Sequence, residues 1–194
     1  VEFYDADAGK PLAAFSLNKT IVAAQRVYPE VDLYALTEAD GKLSFVGTQF
    51  VISFVEGQRV LTPKLNFPFG DSEVDVGSSN LIDVQLFDGE LKLLSAVAGS
   101  SQYTRTTYRN VEIGYPLGAP RSTRVETDQP ITKIISGPRN ETTFVFDTQG
   151  GIRIDSNAGQ VEGRTQLPQT PHLVAPLLGR YSILTATENG LAQI

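Results

Sequence analysis

The chain has 194 residues, 41% of them hydrophobic, and its 16 lysines and arginines stand against 22 aspartates and glutamates for a net charge of -6. A domain of this length buries roughly 70% of its unfolded surface, so packing alone can hold it together, and no run approaches the ~20 apolar residues of a membrane helix. The acidic balance argues against nucleic acid, which needs a concentrated basic face, and the absence of cysteine excludes a thiol nucleophile, a thiolate metal site and disulfides.

From its first residues the sequence alternates apolar and polar side chains with a period of two, as in Leu81-Ile82-Asp83-Val84-Gln85-Leu86-Phe87. No window of a dozen residues has helical spacing free of Gly, Pro and β-branched runs, so strand dominates and helix falls below about a tenth. Residues 1–5 and 10–17 read as two strands. The acidic run Asp5-Ala6-Asp7-Ala8-Gly9 between them lacks the third oxygen ligand and distal glutamate of a calcium loop, and reads as an acidic turn. Strands at 20–26, 31–37 and 42–47 and a long hairpin through Phe54 and Val60 make a first full unit over residues 20–70. Asp71, Glu73 and Asp75 then place three carboxylates at period two, facing solvent. Strands at 81–87, 90–97, 102–109 and 111–115 make a second unit, residues 81–118, followed by a long link to about 129. A third unit, residues 130–167, has strands at 131–136, 142–147, 152–155 and 160–167. Strands at 172–178, 181–187 and from 191 start a fourth.

The turns carry their own signal. Asp40-Gly41, Asp88-Gly89, Gly150-Gly151 and Asn189-Gly190 accept positive φ at low cost and predict tight hairpins. Successive hairpins without helical crossovers leave a sandwich, a barrel or a propeller, and a four-stranded unit recurring at close to the ~40 residues of a blade favours the all-β propeller. The uneven spacing near Gly57 and after Gly114 is the argument for a β-sandwich or barrel. The whole reads as one all-β domain, residues 1–194, a partial propeller with blades at 1–17, 20–70, 81–118, 130–167 and 172–194, the first and last incomplete. The expected core includes Leu33, Ala35, Val84, Leu86, Leu93, Ile134, Phe144, Phe146, Ile152, Ile183 and Leu184.

The strings FVISFVEGQRVLTPKLNFPFG at 50–70 and LIDVQLFDGELKLLSAVAGSS at 81–101 resemble the large insert of gammaproteobacterial phosphate ABC transporter permeases of the PstC type. So do ITKIISGPRNETTFVFDTQGG, RTQLPQ and LLGRYSILTATENGLAQI in the last third. The resemblance implies a WD40-like propeller fragment on the periplasmic side of the bacterial inner membrane, within a membrane-embedded parent. It implies a non-catalytic role in phosphate import, with transporter subunits or the periplasmic phosphate-binding protein as partners. Blade ends cut in mid-sheet leave unpaired edges, which are relieved either by residues 1–17 completing the sheet of 172–194 in a closed four-blade ring or by a homodimer of the fragment, the outcome expected here. No residue of a transport path is carried over, because no such motif is present.

Candidate chemistry is sparse. The lone His172 has no serine or cysteine nucleophile motif beside it, so no catalytic residue, cofactor or metal site is assigned. The most suggestive polar feature is the stretch holding Arg105, Arg109, Arg121 and Arg124 with Glu112 as its one acid. On a strand over 102–109, Tyr103, Arg105, Thr107 and Arg109 share a face, and guanidinium forks suit phosphate or carboxylate. Tyr103, Arg105 and Arg109 are therefore the candidate anion-binding residues, set against the plainer reading of an exposed polar strand face. Two arginines screened on an exposed strand would bind inorganic phosphate no tighter than millimolar.

Overall fold

A computed structural model describes residues 2–4, 11–14, 20–27, 32–39, 42–112, 115–167, 171, 173–176, 182–187 and 190–193. Contacts group the chain into two compact units: residues 1–75 with 112–117, and residues 76–111 with 118–194. The acidic run at 5–9 and His172 lie outside the described residues.

In the first unit, β1 (Glu2–Tyr4) and β2 (Pro11–Ala14) form an antiparallel pair. Strands β3 (Thr20–Val27), β4 (Asp32–Ala39), β5 (Lys42–Val55) and β6 (Gln58–Glu73) follow as one sheet in chain order. The short strand and separate outer hairpin expected after residue 42 are instead one long antiparallel pair. Irregularities at Ser44/Val46 and Gln49/Phe50 are taken up by extra residues on β6, so β5 continues rather than stops. Because β4 pairs with β5 only as far as Gln49, the rest of β5 and β6 runs on as a two-stranded ribbon. Its tip turns through Glu56 and Gly57, both at positive φ, and exposes Phe54 and Val55. Leu36 and Phe45 are buried in the sheet. Of the three expected solvent carboxylates, Glu73 and Asp75 are exposed, and Glu73 accepts a 2.6 Å bond from Lys42 Nζ; the Asp71 side chain lies outside the description.

The second unit carries β7 (Leu81–Phe87), β8 (Glu90–Ala96), β9 (Gln102–Tyr108) and β10 (Arg121–Glu126) in the order β10-β9-β8-β7. The outer strand is thus at Arg121–Glu126 and not at the expected 111–115. Gly114, Pro116, Gly118 and Pro120 interrupt the earlier alternation, and the Val111 amide donates to the Gly89 carbonyl at 2.8 Å instead of to β9. Strands β11 (Ile131–Ser136), β12 (Thr142–Asp147), β13 (Gly151–Ser156) and β14 (Val161–Gln166) form the next sheet in chain order. β15 (Leu173–Pro176), β16 (Ile183–Thr187) and β17 (Gly190–Gln193) form a three-stranded one. The one helical element among the described residues is the 3-10 turn Pro138–Asn140, and no described helix is long and apolar enough to cross a membrane.

Turn chemistry sets these registers. Asp88 and Gly89 sit at φ 50 and 69 between the directly paired Phe87 and Glu90, the two-residue hairpin the sequence predicts. Asp147 Oδ1 accepts 2.8 Å bonds from the Gln149 and Gly151 amides, closing the turn into β13. With register fixed, side chains alternate between faces. Leu94, Ala96, Tyr103 and Val125 pack against Ile131, Ile134 and Val145 of the next sheet, and Phe144, Phe146 and Ile152 pack against Val174 and Ile183 of the one after. Of the expected core, Val84, Leu86, Leu93, Ile134, Phe144, Phe146, Ile152 and Ile183 are buried and Leu184 is half-buried; the side chains of Leu33 and Ala35 lie outside the description.

Candidate functional site

One face of the β7–β10 sheet looks toward the β11–β14 sheet, and its cross-strand rows change character along the strands. The row Leu81–Ala96–Tyr103–Val125 is mostly apolar, the next is Asp83–Leu94–Arg105–Thr123, and the third is Gln85–Lys92–Thr107–Arg121. The apolar end seals the seam between the sheets. The polar end opens into a cavity.

Polar groups buried in the seam are met from the facing sheet. Tyr103, 1% exposed, donates its hydroxyl to Asp155 Oδ2 at 2.8 Å, and Arg153 Nε donates to the other oxygen of the same carboxylate at 2.6 Å. Burial and the Asp155 charge push the Tyr103 phenol well above its ordinary value, so it stays a neutral donor. Lys92, 1% exposed, donates from Nζ to the Thr142 carbonyl at 2.7 Å. Burial pulls its ammonium down to about 7, with Asp83 opposing the shift and Arg105 adding to it. Asp83 accepts a 2.6 Å bond from the Ser136 amide, and burial raises its carboxyl despite that bond and Lys92. Asn140, held at φ 59, donates from Nδ2 to the Glu90 carbonyl at 2.7 Å.

The cavity, about 500 Å³, lies at the polar end of β9 and β10. Arg105 and Arg121 enter it from these strands with Thr107 and Thr123, and Arg109 and Asn110 from the chain just past β9. Glu90 and Asn157 complete its polar wall. Arg105 is 9% exposed, and its one described hydrogen bond, from Nη1 to the Ser156 carbonyl, is long at 3.4 Å. Among the described residues it has no ion pair. Arg109 is exposed, with Nε 3.6 Å from Glu90 Oε2. Among the described residues, three arginines thus line a space with one carboxylate.

Of the sequence-predicted trio, Arg105 and Arg109 line the cavity and Tyr103 does not. Strand alternation does put Tyr103 on the face of Arg105, but two residues toward the apolar end, where the facing sheet covers it and Asp155 takes its hydroxyl. The face is not the exposed polar surface of the plainer reading, since Arg105 is buried. Arg121, noted in the sequence only as part of the arginine stretch, joins the site because β10 pairs it opposite Thr107. Arg124, one residue out of phase, is exposed away from the cavity. Glu90 and Asn157 carried no sequence signal. Among the described residues no group of three or more His, Asp or Glu side chains is placed to hold a metal.

No protein-family model and no curated protein sequence matches the chain. Solved structures do. A structure of Hsv2 from Kluyveromyces lactis is similar at 9% identity with a TM-score of 0.50, over 98% of this chain and 53% of that one. The chain therefore spans about half the length of that protein. Apo AztD from Citrobacter koseri aligns over 100% of this chain and 74% of its own at 12% identity and a TM-score of 0.48. A protein from Lactobacillus plantarum aligns over 100% and 76% at 11% identity and a TM-score of 0.36. At these identities the likeness concerns fold alone. With the four-stranded antiparallel sheets in chain order and almost no helix, the fold class is the all-β propeller built of four-stranded blades.

Proposed function

We propose that the chain is a non-catalytic propeller module that binds a small anion in the cavity at the polar end of β9 and β10. The observation that carries this reading is Arg105: a guanidinium nine-tenths buried, without an ion pair among the described residues, at the edge of a space also lined by Arg109 and Arg121. A buried cation without a carboxylate is costly, and an anion from solution offsets that cost. The remaining wall of threonines and asparagines donates hydrogen bonds to oxyanions. Burial also changes the affinity expected of an exposed strand, because screening by salt is weaker at a desolvated guanidinium. Calorimetric titration with oxyanions tests the reading. Submillimolar binding lost in Arg105→Gln supports it, and no heat of binding for any oxyanion sinks it.

A second reading concerns the parent protein. The resemblance of residues 50–70, 81–101 and the last third to the insert of PstC-type phosphate permeases favours an extracytoplasmic interaction module of a phosphate importer, facing the periplasm. Its partners would be other transporter subunits or the periplasmic phosphate-binding protein, and an anion site suits such a setting. Transmembrane segments flanking this region in the parent gene, and copurification of the module with the binding protein, are the expected results. A parent without membrane spans overturns it.

A further inference from the structure

We propose that the cavity takes a compact aliphatic polyanion, a small molecule whose two or more oxyanion groups are held apart, one on Arg105 and another on Arg121 and Arg109. This rests on the anion-site reading above and names the ligand class of the same site. The first ground is the separation of the arginines along the strands. In the β9–β10 register Arg105 stands opposite Thr123 and Arg121 opposite Thr107, so the two arginines are diagonal neighbours, ~7–8 Å apart at the backbone. The contacts of Arg105 and Arg109 diverge as well: Arg105 leans on the Ser156 carbonyl of the facing sheet, while Arg109 lies against Glu90 at the start of β8.

Charge and size give the second ground. Among the described lining residues, three arginines against Glu90 leave a surplus of two positive charges, which one singly charged group leaves half uncompensated. A volume of about 500 Å³ lies in the range of pockets for small organic ligands, well beyond one inorganic oxyanion. Composition gives the third. Among the described residues the wall has no aromatic ring on which a base or sugar would stack, and Thr107, Thr123, Asn110 and Asn157 suit an oxygen-rich aliphatic frame. Di- and tricarboxylates and linked phosphates share this chemistry.

Titrating the chain with citrate, pyrophosphate, inorganic phosphate and acetate tests the proposal. Citrate or pyrophosphate is expected to bind about tenfold or more tighter than phosphate or acetate, and which of the two wins separates the carboxylate source from the phosphate source. Arg121→Gln, at an exposed position on β10, should weaken the polyanion about tenfold or more and phosphate by much less. Arg105→Gln should weaken all of them, with an unchanged circular dichroism spectrum showing that the variant still folds. Equal affinities for polyanions and phosphate, or an Arg121→Gln variant that weakens every anion alike, would overturn the polyanion proposal and leave the anion site standing. No binding of any probe overturns both.

Discussion

At Asp155 a buried carboxylate with no exposed surface is held by two donors, the Tyr103 hydroxyl and Arg153 Nε. Removing one donor leaves the other in place, so Tyr103→Phe should cost about 1–2 kcal/mol of unfolding free energy in urea titrations. Asp155→Ala strands a buried guanidinium and a buried phenol together and should cost about 3–5 kcal/mol. Both variants should bind anions as the parent does, because neither residue lines the cavity. The opposite case is Thr143, wholly buried, whose Oγ1 finds no hydrogen-bond partner among the described residues. Thr143→Val removes an unpaired polar atom at nearly constant shape and should raise stability by about 1 kcal/mol; a loss of that size would show that the hydroxyl has a partner after all.

Strand β8 places Lys92 among Asp83 from β7, Glu90 on its own strand and Arg105 from β9, with the uncharged Thr142 carbonyl facing it from β12. Its ammonium is pulled down by burial to about 7 from an ordinary 10.5. Between these values the unfolded chain holds a proton that the folded chain has released, so stability should rise as pH climbs from about 7 to about 10.5, by at most about 1.4 kcal/mol per unit. Asp83, raised by burial, acts at lower pH: folding retains its proton above 3.8, and stability falls as pH rises through that lower window. Denaturation midpoints at pH 7 and 9 check the lysine, and Lys92→Met should flatten the slope. At this scale the sequence was readable where local chemistry decides. Asp88-Gly89 announced its hairpin, and alternation put Val84, Leu86, Phe144 and Phe146 inside. It was not readable where pairing across distance decides. Whether 111–115 or 121–126 completes the β7–β10 sheet depends on which segment meets β9, and the burial of Arg105 depends on the sheet that covers it. The cavity was half legible for the same reason: the arginines could be counted, but Glu90 and Asn157 reach it only through the fold.

For the whole chain, a net charge of -6 repels anions, so the binding proposed above depends on local positive charge outweighing a negative background. Salt weakens both effects, and the buried Arg105 is the less screened of the partners. Affinity for a polyanion should therefore fall by no more than about tenfold as the Debye length shrinks from ~10 Å at 0.1 M to ~3 Å at 1 M. A fall of about a hundredfold in the same titration would mean that exposed arginines carry the binding. The fold class makes its own demand at this scale: the far-UV circular dichroism spectrum should be that of a strand-rich protein, and pronounced helical minima would contradict it.

The connection between β9 and β10 carries Arg109, Asn110, Gly118 and Ala119 into the cavity while standing outside the hydrogen-bonded ladder of the sheet. The β7–β8 connection in the same sheet is a two-residue turn whose length is dictated by register. Heredity meets two kinds of constraint in one blade. Under the anion-site proposal, substitutions at Arg109, Asn110, Gly118 and Ala119 can change ligand preference without re-registering any strand. Exchanging these four residues should shift ligand preference while the melting temperature stays the same.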